Sequence, residues 1–117
     1  MSFECSARSE GDLLVLELHG DVDGAADEQL NGTYDAAITA DPKRVLLNFD
    51  DVSYINSTGI ALIVGLLSEA RRSGREVLAC GLTDHYKEIF DITRISDFIT
   101  FVENEPNTKE ATDGRHA

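Results

Sequence analysis

The chain has 117 residues, 42% hydrophobic and 27% charged, which fits one globular core and argues against a two-domain enzyme. Twenty-two acidic against ten basic residues give a formal charge of -12, which repels nucleic-acid phosphates and anionic lipid headgroups. Neither nucleic acid nor membrane is therefore an expected partner; a protein with a basic face suits the chain better, although the same charge also serves plain solubility.

The N-terminal residues lack a basic segment followed by an apolar run, and the longest apolar stretch is short and interrupted by Gly, so a cytoplasmic location is expected. Cys5 and Cys80 have no second Cys or His at ligand spacing and are expected to be reduced core thiols. No metal and no cofactor is implied.

In chain order, Phe3 to Ala7 and Leu13 to His19 are short extended segments around the polar turn Ser9-Glu10-Gly11-Asp12, which predicts a hairpin. Residues 25–40 place Ala26, Leu30, Tyr34, Ala37 and Ile38 at helical spacing, and Asp41-Pro42 ends that helix. Arg44 to Phe49 contains the continuous apolar run Val45-Leu46-Leu47, which predicts a strand covered on both faces, with helices above and below the sheet. A loop is expected from Asp50 to Asn56.

Residues 57–73 form the most strongly helical segment, with Ile60, Ile63, Val64, Leu67 and Ala70 on one stripe. Arg71 and Arg72 favour its negative end, and Gly74 is placed for a left-handed C-cap. A strand over Glu76 to Cys80, a helix over Asp84 to Ile92 and a strand over Phe98 to Val102 complete the pattern. The order β-β-α-β-α-β-α-β gives an α/β domain over residues 1–102 with a mixed sheet. Residues 103–117 are almost free of apolar side chains and are expected to form a disordered polar tail.

The most informative stretch is Asp51-Val52-Ser53-Tyr54-Ile55-Asn56-Ser57-Thr58-Gly59-Ile60, between the central strand and the strongest helix. Read by its chemistry alone, Asn56 or Ser57 caps that helix by accepting a hydrogen bond from a free backbone N–H. Asp23 is equally a candidate cap for the helix beginning near Ala25.

Three stretches together carry a resemblance to a known family: Gly20-Asp21-Val22-Asp23, Asp51 to Ile60, and Phe90-Asp91-Ile92-Thr93-Arg94-Ile95. The chain resembles the STAS domain of bacterial anti-sigma factor antagonists over nearly its whole ordered length. The resemblance implies a STAS-type fold with helices packed mainly on one face of the sheet. It also implies a non-enzymatic regulator that works by partner switching. In that cycle the unphosphorylated domain binds an anti-sigma factor with GHKL-type serine kinase activity and releases a sigma factor. Phosphorylation of Ser57 dissociates the complex, and a serine phosphatase restores it; Thr58 is a secondary acceptor candidate. Asp21, Asp23, Gly24, Asn56, Ser57, Thr58, Gly59 and Ile60 are the partner-binding candidates that follow.

The chain departs from the family at two places. Asn56 stands where the family has Asp, keeping a hydrogen-bonding side chain but losing a charge, and Arg94 stands where Gly is common, a position suited to left-handed backbone. Two rival readings compete with the phosphoswitch. An esterase-like site with Ser57 as nucleophile and His19 or His85 as base lacks the Gly-x-Ser-x-Gly elbow. A STAS adaptor or ligand-binding module unconnected to sigma control is the alternative, since a fold does not fix a function.

Overall fold

The computed structural model describes residues 3–104. The chain starts with the hairpin of strands β1 (Phe3–Glu10) and β2 (Leu13–Val22), reversed at Gly11 with φ 64°, a value that costs a residue without Cβ nothing. Both strands run longer than their apolar segments suggest. From β2 onward every strand enters parallel to its predecessor: β3 (Arg44–Ile55), β4 (Glu76–Cys80) and β5 (Thr100–Phe101). The sheet order β1-β2-β3-β4-β5 is the chain order.

Helix α1 (Asp27–Ala37) bridges β2 and β3, α2 (Ser57–Arg72) bridges β3 and β4, and α3 (Asp84–Ile92) bridges β4 and β5. Short 3₁₀ turns at Gly24–Ala26 and Ile38–Ala40 flank α1, so the helix expected over residues 25–40 is present in three pieces. Another 3₁₀ turn at Ile95–Phe98 takes up the first residue of the strand expected at Phe98 to Val102 and shortens it to Thr100–Phe101.

The expected cover of helices on both faces is not what forms among the described residues. Parallel crossovers are right-handed, and here all three step in the same direction across the sheet, so they deliver their helices to one face. That face holds the main core: Leu14, Leu16 and Leu18 of β2, Val45, Leu47 and Phe49 of β3, and Leu30, Tyr34, Ile63, Leu66, Leu67 and Phe90 from the helices. Phe49 and Phe90 meet edge to face with centroids 6.2 Å apart. The opposite face carries a smaller buried cluster of Leu13, Val15, Leu46, Leu78 and Cys80, with Val102 packed against it. The continuous Val45-Leu46-Leu47 run thus feeds two cores, as a buried central strand does, with the three described helices on one side.

The second correction concerns Asp50 to Asn56. Residues 50–55 continue β3 instead of forming a loop, and β2 pairs with them as far as Val22 opposite Ile55. At two irregularities in this ladder β3 supplies one residue more than β2, so the strand twists as it reaches the helix.

At the other end of the domain the Arg75 side chain, only 10% exposed, joins two connections. Its Nη1 donates to Asp41 Oδ1 at 2.9 Å and to the Pro42 carbonyl at 2.7 Å, tying the turn after α2 to the turn after α1. Gly74, with φ 76°, and the Arg75 N–H bonded to the Ala70 carbonyl at 2.9 Å close α2 in the expected left-handed cap. Residues 105–117, most of the expected polar tail, lie outside the described residues.

Candidate functional site

Two chain segments converge where β2 and β3 end. The Val22 carbonyl accepts the Asn56 N–H at 3.2 Å, which carries the β2–β3 pairing up to the first residue before α2. Asn56 has extended backbone and its Oδ1 accepts the Gly59 N–H at 2.8 Å, while its carbonyl accepts the Ile60 N–H at 2.9 Å. Of the two capping candidates, Asn56 is therefore the cap. Ser57 is the first residue inside the helix, exposed, with no hydrogen bond to its hydroxyl among the described residues. Thr58 beside it is exposed as well.

Asp23 caps the neighbouring turn: its carboxylate accepts the Ala25 N–H at 3.0 Å. Gly24 then lies against α2, since a Cβ there would stand 3.5 Å from Thr58 Cγ2. Asp21 is half-buried and sits opposite Tyr54 in the β2–β3 register. The fold thus brings Asp21, Asp23 and Gly24 to the same end of the sheet as Asn56, Ser57 and Thr58.

Gly59 and Ile60 play a different part. Gly59 is buried so closely on β2 that a Cβ would fall 1.9 Å from the Val22 carbonyl oxygen, and Ile60 is half-buried against the main core. Both fix where α2 begins; neither presents an exposed side chain.

Two contacts at this end escaped the sequence. The Ile55 N–H donates to the Tyr86 hydroxyl at 3.0 Å, so α3 braces the last residue of β3. His19 Nδ1 lies 3.0 Å from Asp51 Oδ2 across the β2–β3 ladder. The helical pattern of residues 84–92 carries no sign of where the Tyr86 hydroxyl goes, and the apolar run that marks β3 ends at Phe49, before Asp51. His85 rests its ring against Tyr86 at 5.0 Å. Neither imidazole is hydrogen-bonded to Ser57.

Among the described residues no cluster of His, Cys, Asp and Glu could hold a metal ion. No described helix is long and apolar enough to cross a membrane. Cys80 is buried and Cys5 half-buried, both as free thiols, and burial pushes the Cys5 thiol up to about 11 against a weaker opposing hydrogen bond with Thr33.

A sequentially ordered mixed sheet with three helices on one face and an exposed hydroxyl opening the middle helix defines a single STAS-type domain. The chain belongs to the STAS domain family, whose model matches residues 4–111. It is 30% identical over 81 residues to BtrV of Bordetella bronchiseptica, whose name assigns it as an anti-sigma factor antagonist; the match covers 69% of this chain and 70% of that protein. It is 33% identical over 55 residues to the anti-sigma-B factor antagonist of Staphylococcus aureus, covering 47% of this chain and about half (51%) of that protein.

Among solved structures, the unphosphorylated form of the anti-sigma factor antagonist SpoIIAA superposes with a TM-score of 0.69 at 19% identity, covering 96% of each chain. The phosphorylated form of Bacillus SpoIIAA gives 0.67 at 19% identity over 98% of this chain and all (100%) of that one. At such identities the likeness shows the fold.

Proposed function

We propose that this domain is an anti-sigma factor antagonist that works by partner switching. The unphosphorylated form binds an anti-sigma factor with GHKL-type serine kinase activity and so frees a sigma factor; phosphorylation of Ser57 releases the complex, and a serine phosphatase resets it. The reading is supported by relatives named as anti-sigma factor antagonists and by SpoIIAA having both phosphorylated and unphosphorylated structures.

The observation that carries the proposal is the division of labour between Asn56 and Ser57. Because Asn56 satisfies the Gly59 N–H, the Ser57 hydroxyl is left exposed for a visiting active site. A phosphate on Ser57 adds about -1.5 to -2 charges at the positive end of a 16-residue helix, whose first N–H groups lack intrahelical partners. The domain tolerates that charge; a desolvated contact with a partner does not. A 99:1 reversal of the bound state needs roughly 5 kcal/mol of differential affinity, within reach of a dianion buried in an interface and out of reach at an exposed rim.

Asp21, Asp23, Gly24 and Thr58, which share this end of the sheet, form the remainder of the contact surface. Thr58 is the secondary acceptor.

Incubation of the full chain with GHKL-type kinases of its genome and ATP, followed by intact mass and site mapping, tests the reading. The expected result is one phosphate on Ser57, with Ser57→Ala binding the kinase constitutively and Ser57→Asp binding weakly. A chain that no kinase modifies at Ser57 or Thr58, or equal affinity for the Ala and Asp variants, leaves an adaptor or ligand-binding STAS module in its place.

A further inference from the structure

The exposed face of α2 does not end at Ser57. Ser57, Ala61, Val64, Ser68 and Arg71 recur at helical spacing and are all exposed, forming one stripe down the helix. From Val64 onward the stripe becomes one wall of an open groove of about 310 Å³ between α2 and the segment after α3. Its apolar surface comes from Val64, Leu67, Ile95 and Phe98, with Arg71 and Arg94 as its cations. Val64 is 41% and Phe98 45% exposed, a large apolar area for residues of a sheet-backed helix and its neighbour.

Both arginines are held in ways that packing alone does not require. Among the described residues Arg71 has no carboxylate partner; its guanidinium lies over the Phe98 ring, 4.3 Å from the centroid. Arg94 occupies left-handed backbone at φ 68°, a conformation glycine adopts without steric cost, and yet it places a cation on the groove. Its bond to Asp97, 2.9 Å long, is an exposed pair that an incoming carboxylate can replace. On a chain with formal charge -12, this is a local positive rim around an apolar floor.

We infer that this groove docks an acidic amphipathic helix of the same protein partner that engages Ser57, with apolar side chains on Val64, Leu67, Ile95 and Phe98 and carboxylates on Arg71 and Arg94. The inference rests on the partner-switching reading and extends it to a second contact. Helix rise puts Val64 only about 10 Å along α2 from Ser57, and a standard interface buries roughly 800 Å² per partner, enough to include both. Helix-in-groove recognition lays the apolar face of an amphipathic helix into a groove with an apolar floor, and arginine is the cation suited to bidentate carboxylate contacts. The groove contact holds the partner while the Ser57 contact gates it.

The test compares Arg71→Glu, Arg94→Glu and Val64→Asp with the unmodified full chain for affinity to the GHKL-type kinase that modifies Ser57, with thermal melts to confirm folding. Each substitution is expected to weaken binding by about tenfold or more, as loss of a central contact does. For the two arginine variants the loss shrinks at high salt. A kinase that binds all three variants like the unmodified chain overturns the groove and leaves the Ser57 reading intact. Absence of any kinase binding or phosphorylation overturns the Ser57 reading first. Self-association abolished by the same substitutions, or saturable binding of dodecanoate abolished by Arg71→Glu, assigns the groove to a second copy or a small amphiphile and overturns the inference.

Discussion

Gly59 of α2 rests directly on the carbonyl of Val22 in β2, so close that a Cβ would lie 1.9 Å from the oxygen. The obstacle is backbone on both sides, so neither partner can turn away. Gly59→Ala is expected to push α2 off the end of β2 and cost on the order of 2–3 kcal/mol, the range of overpacked cores. Urea unfolding reads the stability. A variant as stable as the parent would mean that the start of α2 is not anchored there.

Asn56 holds the same helix start from the other side. Asn56→Ala removes the acceptor for the Gly59 N–H and is expected to lose about 1 kcal/mol in urea unfolding, whereas Asn56→Asp keeps the cap and gains a favourable charge at the helix N-terminus. The Asp variant is thus expected to match or exceed the parent in stability. A loss on Asn56→Asp would count against the side-chain cap.

Tyr86 couples α3 to the last residue of β3 through one hydrogen bond to the Ile55 N–H. Tyr86→Phe removes that bond and little volume, so a loss of about 1 kcal/mol is expected by urea unfolding. In amide exchange the Ile55 N–H is expected to lose protection selectively. Unchanged exchange at Ile55 would show that the hydroxyl contributes nothing there.

Arg94 sits at φ 68° with its side chain 80% exposed. Arg94→Gly is expected to raise stability by about 1 kcal/mol, because relief of the left-handed backbone outweighs an exposed ion pair. The same variant removes one groove cation, so greater stability and weaker partner binding are expected together. A destabilised variant would show that the Asp97 pair outweighs the backbone cost.

The Cys5 thiol is raised to about 11 because burial disfavours the thiolate, while the Thr33 hydrogen bond pulls the other way. The unfolded chain therefore gives up this proton more readily than the folded one. Cys5 disfavours the folded state as pH rises from about 9 toward 11 and is neutral to stability below that window. Native alkylation of Cys5 by iodoacetamide at pH 8 is expected to be slow and to accelerate through pH 10, with Cys80 protected throughout by its burial. Rapid modification of Cys5 at pH 8 would refute the raised value.

The architecture was legible because the helices carry a helical period and the strands stand out as short apolar runs bounded by turn residues. Ile60, Ile63, Leu67 and Ala70 of the expected α2 stripe face the core while Val64 at its edge stays 41% exposed, and Leu14, Leu16 and Leu18 share one face of β2. The end of β3 was not legible, because Asp50, Asp51 and Ser53 are polar and the two register shifts interrupt any alternation; the strand there is set by the pairing of Asp51, Val52, Tyr54 and Ile55 with β2, which leaves no hydrophobic period. The one-sided helices were hidden for a related reason. Val45-Leu46-Leu47 reports burial of both faces and cannot say what covers each, whereas handedness and strand order decide that. At the site, local chemistry offered Asn56 or Ser57 as one cap and Asp23 as another, and the fold chose Asn56; the approach of Gly24 to Thr58 and of Gly59 to Val22 depends on tertiary contact and could only be seen in the fold.

The sheet's neighbour-by-neighbour order bears on how the domain is made. Each described strand after the first lies beside the one synthesised just before it, so none of them waits for a distant mate, and the closing connections span a single hairpin or helix each. A chain emerging from the ribosome can add one strand at a time from the N-terminal end, each parallel step closing no more than one crossover. The Ser57 end of α2 gains its backing on β2 and β3 before β4 exists, so the surface that presents Ser57 is assembled midway through synthesis.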